Sequence, residues 1–235
     1  MRKRILFEAG KENITGTIIG TNTEKKSDFI FLHGAGKSTK EKAHGFFDTL
    51  LFKTIPNITT FDFSGHGESS GTLKKSSLQK RIFETKTAID LYTTKSQLTV
   101  CGTSMGGYIA LTMLDYYNVK NLILFAPAVY NDEALALPFD AGFTEAIRKP
   151  KSWQKSSVLQ SLENFTGNLL LVIGTQDEVI PKDVIALIDL HSKKTITKDI
   201  VWINNCPHAI HDWLVAHPAD KKMINEKILA LYQSS

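Results

Sequence analysis

Short, mostly apolar runs alternate along the chain with longer stretches in which apolar residues recur every three or four positions. The runs at 29–32, 58–63, 98–101, 122–125, 169–173 and 200–203 have the length and predominantly apolar or β-branched composition of buried strands. Between and after them, 40–53, 78–93, 105–116, 182–191 and 219–232 carry the periodicity of helices with one apolar face. Two further β-like stretches, 4–8 and 14–19, come first and are joined by a turn around Gly10-Lys11, the pattern of a hairpin. Such an alternation predicts an α/β fold: a mostly parallel central sheet with helices on both faces, preceded by an antiparallel N-terminal hairpin. No internal repeat or low-complexity tract interrupts the series, so 1–235 is expected to be one domain.

One segment breaks the rhythm. Between Pro127 and Gly167 the apolar residues Leu135, Leu137, Phe139, Phe143 and Trp153 are spread without a clear strand. Ligands of open α/β sheets bind beyond the C-terminal ends of the strands, so this insertion, about 128–166, is expected to form a small lid there. A helical excursion over the surface fits the same composition.

Composition narrows the partners. The chain has 235 residues, of which 42% are hydrophobic, enough for one sizeable core. Its net charge of +4 comes from lysines scattered in pairs such as Lys25-Lys26 and Lys193-Lys194, without clustered arginine or interleaved aromatics, so no nucleic-acid partner is expected. No stretch is long and apolar enough to span a bilayer, and the run Ile5-Leu6-Phe7 is too short for the core of a signal peptide. The two cysteines, Cys101 and Cys206, fall in no C-x-x-C pattern, which argues against a zinc ribbon or a disulfide framework. A reduced, cytoplasmic protein is expected.

Two patterns compete for the chemistry. The stretch Gly34-Ala35-Gly36-Lys37-Ser38-Thr39 is spelt like the end of a phosphate-binding loop, but that loop needs a glycine at position 31, where Phe31 stands within a strand. Asp62-Phe63-Ser64-Gly65 and Thr175-Gln176-Asp177 echo the switch and base-reading motifs of nucleotide-binding proteins, and Gly174 stands where the second would need asparagine. Nucleotide binding is therefore the most distant reading.

The second pattern keeps its context. Gly102-Thr103-Ser104-Met105-Gly106 is G-x-S-x-G between a strand and a helix, a turn that lifts the serine hydroxyl clear of the sheet. Glycines two residues to either side are needed because side chains there would collide with backbone, and the following helix aims its N-terminus at negative charge developing beside Ser104. A serine hydroxyl is a weak nucleophile and needs an imidazole to accept its proton, with a carboxylate to orient that imidazole.

This elbow, together with His33-Gly34-Ala35-Gly36, the turn Asp62-Phe63-Ser64-Gly65-His66-Gly67-Glu68-Ser69 and two later loops, resembles the α/β-hydrolase family over nearly the whole chain. The resemblance implies the chain order nucleophile, acid, histidine. It points to Asp177, in the loop after 169–173, as the acid, with Glu178 and Asp132 as rivals. It points to His208, in the loop after 200–203, as the base, with His211 as runner-up. His217 reads as a helix-entry residue and His191 as a helix C-terminal one, and a catalytic His66 would violate the order. The oxyanion donors implied are the backbone N–H groups of Met105 and Ala35; His33 and the Asp62–Ser69 turn would shape the site, and Lys37 is expected in solvent. No metal or organic cofactor is implied. The expected activity is that of a serine hydrolase acting on carboxylic esters or thioesters of a small acyl substrate through an acyl-enzyme, with Leu135, Leu137, Phe139 and Phe143 as candidates for an apolar acyl pocket. A peptidase or amidase, or a non-catalytic binding protein of the same fold, are the alternatives.

Overall fold

The computed structural model describes residues 1–47, 51 and 54–234. Strands β1 (Arg2–Ala9) and β2 (Glu12–Gly20) pair antiparallel from Arg2↔Ile19 to Ala9↔Glu12. Ile5, Phe7 and Ala9 point inward along β1 while Leu6 and Glu8 face out, the alternation of an edge strand covered on one side. The chain continues through β3 (Phe29–Leu32), α1 (Glu41–Phe46), β4 (Asn57–Phe61), α2 (Leu78–Tyr92), β5 (Leu98–Thr103), α3 (Met105–Thr112) and β6 (Val119–Phe125). Two short helices, α4 (Phe143–Ile147) and α5 (Val158–Glu163), precede β7 (Asn168–Gly174), α6 (Lys182–His191), β8 (Thr197–Ile203), α7 (Ile210–Ala216) and α8 (Pro218–Gln233).

The strands form one sheet in the order β1-β2-β4-β3-β5-β6-β7-β8. From β4 to β8 every neighbouring pair is parallel, and only β2 runs against its neighbours. The chain leaves β3 toward β4 on one side and returns to β5 on the other, so the loops after β3 and β5 meet at the C-terminal edge of the sheet. Phe29, Ile30, Phe31, Leu32, Val100 and Leu122 are inaccessible to solvent, as continuous apolar strands between two helical layers should be.

The boundaries differ where polar residues are buried or a helix changes winding. β6 begins at Val119, before the apolar run, because Asn121 donates to Thr99 Oγ1 (3.0 Å) and accepts from Asn168 (2.9 Å) inside the sheet. α3 stops at Thr112 and tightens into a 3-10 turn over Met113–Asp115, short of the expected 116. The helix expected over 40–53 is α1 in its described part; residues 48–50, 52 and 53 of that expectation lie outside the described residues. α7, seven residues between His208 and Pro218, is not among the helices expected from periodicity. Among the described residues no helix is long and apolar enough to cross a membrane.

Candidate active site

Ser104 stands alone between the last residue of β5 and the first of α3, with φ 53° and ψ −116°. A non-glycine residue in that region is strained and must be held by its surroundings. Its N–H donates to Phe125 O (2.9 Å), and its carbonyl accepts from Gly107 N (2.9 Å) and Ala128 N (3.0 Å). The flanking glycines are sterically required: a Cβ on Gly102 would stand 2.2 Å from Gly106 O, and one on Gly106 would stand 2.4 Å from Leu32 O. Strand β5, helix α3 and the end of β3 thus interlock around the serine.

Two loops from the far side of the sheet converge on it. His208, beyond β8, places Nε2 3.1 Å from Ser104 Oγ and Nδ1 2.8 Å from Asp177 Oδ2, beyond β7. The other oxygen of Asp177 accepts from Val179 N (2.8 Å) and Ile180 N (3.0 Å), which leaves the ionised carboxylate able only to accept from His208. The proton of the neutral imidazole is accordingly assigned to Nδ1, and the Nε2 lone pair faces the serine hydroxyl. Burial by itself would raise the Asp177 carboxyl, but the bonds from His208 and the two amides outweigh it and hold the group below the usual carboxylate range. Its side chain is 2% exposed against 25% for His208, so the carboxylate is shielded while the imidazole opens toward the cavity.

The rivals lie elsewhere. Asp132 is exposed and binds Ser157 N and Oγ (both 3.0 Å), and Glu178 is exposed beside Asp177. His217 stacks on Trp213 with ring centroids 3.6 Å apart, and His191 ends α6 facing Glu163. His211 is different: it borders the site, buried among Phe31, Phe46 and Phe125, with Nε2 2.5 Å from Thr103 Oγ1. Burial first, and then the charge of Lys42, push its pKa down to about 3. It is a neutral wall that ties the histidine loop to the residue preceding Ser104.

A cavity of about 360 Å³ opens at Ser104 and His208, lined mainly by Gly34, Ala35, Val179, Ala209, Ile210 and His211. Gly34 runs directly against the serine, since a Cβ there would stand 3.4 Å from Ser104 Cβ. Ala35 borders the cavity, and Met105 opens α3, where first-turn amides have no partner within the helix. None of the residues lining this cavity comes from 128–166. Leu135, Leu137, Phe139 and Phe143 instead pack onto the hydrophobic core, with Phe139 and Phe143 in edge-to-face contact at 4.8 Å. Their spacing reflected packing, so the apolar-pocket expectation does not hold for this cavity.

Behind the loop after β3 lies a polar layer. His33 donates from Nδ1 to Gly34 O (2.7 Å) and accepts at Nε2 from Phe63 N (3.1 Å), which shapes the start of the loop. Asp62, inaccessible to solvent, accepts from Lys40 N and Lys40 Nζ (both 2.7 Å), pinning the glycine-rich turn to the same loop. Arg81, also inaccessible, reaches His66 and Met105. Sequence reasoning overlooked Lys40 and Arg81. For Arg81 a signal existed: it shares one face of α2 with the buried Leu78, Thr85, Ala88 and Ile89. Among the described residues no group of three or more His, Cys, Asp or Glu side chains converges as a metal site.

Comparison with known proteins follows the same lines. A family model described as Serine aminopeptidase, S33, matches residues 23–155, which span the loop after β3, the glycine-rich turn and the elbow. Solved structures with similar folds include an esterase of Pyrococcus furiosus (21% identity, TM-score 0.66), covering 99% of this chain and 93% of that one. Est1E of Butyrivibrio proteoclasticus, solved with ferulic acid bound, has 21% identity and a TM-score of 0.68 over 95% of this chain and 99% of that one. The thioesterase domain from the curacin biosynthetic pathway has 13% identity and a TM-score of 0.68 over 95% and 99%. At such identities the likeness is one of fold. No curated protein matches the sequence.

Proposed function

Because the chain belongs to the α/β-hydrolase family represented by the serine aminopeptidase S33 model, we propose that it is a serine hydrolase that cleaves carboxylic esters or thioesters of a small acyl substrate. The observation that carries this reading is the hydrogen-bonded series Asp177, His208, Ser104, set at a strained elbow and opening on a mostly apolar cavity. Ser104 Oγ attacks the acyl carbon as its proton passes to His208 Nε2, while Asp177 keeps the imidazole oriented and stabilises the imidazolium. The carbonyl oxygen becomes an alkoxide, met by the N–H groups of Met105 and Ala35; one such donor contributes about 3–4 kcal/mol to the transition state. The carbonyl re-forms, the bond to the leaving oxygen or sulfur breaks, and Nε2 returns its proton to the departing alcohol or thiol. Water then repeats the sequence on the acyl-enzyme, releasing the acid and free Ser104. Every proton moves through His208, and no cofactor enters the scheme.

The test is direct. Ser104→Ala is expected to abolish hydrolysis of short p-nitrophenyl esters and labelling by a fluorophosphonate probe, and wild-type activity in that variant would overturn the assignment. The family model's description favours a second reading, an aminopeptidase or amidase using the same residues. Such an enzyme must pair the substrate ammonium with an acid, and Asp212, at the cavity wall, is already bonded to Lys42. Esters are therefore expected to be turned over faster than amino-acid p-nitroanilides; the reverse ranking of kcat/KM would establish the peptidase reading.

A further inference from the structure

The acyl-transfer scheme leaves one buried charge without a role. Arg81 has no solvent exposure, and its hydrogen bonds go to a thioether and an imidazole rather than to a carboxylate. Nη1 donates to Met105 Sδ (3.0 Å) and Nη2 to His66 Nε2 (2.6 Å), while Nε has no partner among the described residues. Phe63 and Phe139 lie against the guanidinium at 4.9 and 4.8 Å from their ring centroids. Taking a guanidinium out of water costs several kcal/mol, and two aromatic faces offset only part of that. Glu84 acts on Arg81 through its field, not through a hydrogen bond, and is itself pushed toward neutrality by burial.

Both arms of this fork lead toward the proposed oxyanion donors. Nη1 holds the side chain of Met105, whose N–H is one donor. Nη2 holds His66, and since a guanidinium only donates, His66 Nε2 must accept and Nδ1 must carry the proton. Nδ1–H donates to Ser38 O (2.8 Å), and Ser38 N closes onto Ala35 O (3.4 Å) in the loop that carries the second donor. His33, its ring tilted against that of His66 with centroids 4.7 Å apart, is bonded at both nitrogens to backbone and adds no charge. Lys40 is taken by Asp62. A buried guanidinium, on which Glu84 acts only through its field, thus sits behind the site, bonded to the side chain of Met105 and linked through His66 and Ser38 to the loop of Ala35.

We propose that Arg81 is a positioning residue of the oxyanion hole, setting the two donor amides against each other and adding its field to theirs. The inference rests on the serine-hydrolase reading above. An alkoxide feels both contributions far more than a neutral carbonyl does, so the effect belongs to kcat rather than KM.

Arg81→Met and Arg81→Lys test it. Arg81→Met removes a charge whose field Glu84 feels, so its Tm is measured beside its kinetics, while Arg81→Lys keeps the charge and loses the two-armed contact. In both, kcat for a p-nitrophenyl ester is expected to fall about 10- to 100-fold with little change in KM, more in the methionine variant. Fluorophosphonate labelling of Ser104 should slow in step, and the Met105 ε-methyl resonance should move. A folded Arg81 variant with wild-type kcat and labelling rate, or one altered only in Tm or only in KM, overturns the proposal. If the wild-type protein neither hydrolyses esters nor labels, the serine-hydrolase reading fails and this inference with it. If Ser104 labels equally fast with and without Arg81, this inference falls alone.

Discussion

Ser104 is readable from its neighbours because the constraint on it is local. The elbow forces φ to 53°, and backbone atoms crowd the positions two residues away on either side. Gly106→Ala must place a methyl 2.4 Å from Leu32 O and 2.5 Å from His33 O, both backbone, so β3 or α3 has to shift. That variant is expected to lose about 1–3 kcal/mol of stability, measured by denaturant unfolding, and most of the proposed ester hydrolysis. Asp177→Asn keeps the shape but replaces an acceptor with a group that also donates, which favours the wrong tautomer of His208; kcat is expected to drop about 10⁴-fold while Tm changes little. A kcat near wild type would show that His208 is not oriented by this carboxylate. Arg81 was not legible in the same way, because nothing near position 81 names Met105 or His66 as its partners.

At the scale of elements, the strand and helix periods and the place of the insertion were legible, but what its apolar residues face was not. An apolar residue in a segment without regular structure could face a ligand or a core, and only packing distinguishes them. Phe143 is buried and meets Tyr130 at 5.6 Å and Phe139 at 4.8 Å between ring centroids. Phe143→Ala is expected to cost about 3–5 kcal/mol by thermal or urea unfolding, with KM for short esters unchanged in the folded fraction. A large rise in KM without destabilisation would place this residue at the substrate instead. The turn after β4 makes the opposite case, since its glycines and Asp62 were visible but their anchor was not. Lys40, 7% exposed at its side chain, is bonded to the inaccessible Asp62 carboxylate. Lys40→Met strands that charge, and a loss of about 3–5 kcal/mol is expected in unfolding experiments.

Across the whole molecule, burial of histidines links the fold to pH. His66 and His211 are held neutral chiefly by burial, with pKa values of about 4 and 3 against an ordinary value of 6.5. Between those limits the unfolded chain binds protons that the folded one refuses, so this contribution to stability is complete above about pH 6.5 and is lost as pH falls toward 4 and 3. Tm is expected to decline from pH 6.5 to 4, and His211→Phe, which suits its aromatic surroundings, should make that decline shallower; an unchanged slope would count against the assignment. The sequence by itself determined the α/β alternation, the hairpin, the elbow and the loops bearing Asp177 and His208, because each is a pattern contained within a few consecutive residues. Only the tertiary structure decided that His208 rather than His211 meets Ser104 across 104 residues, that no residue of 128–166 lines the cavity beside Ser104, and that Arg81 bonds both Met105 and His66. Those outcomes depend on strand order and on which faces the crossover helices bury. Both are settled by contacts between residues far apart in the chain, about which local periodicity carries no information.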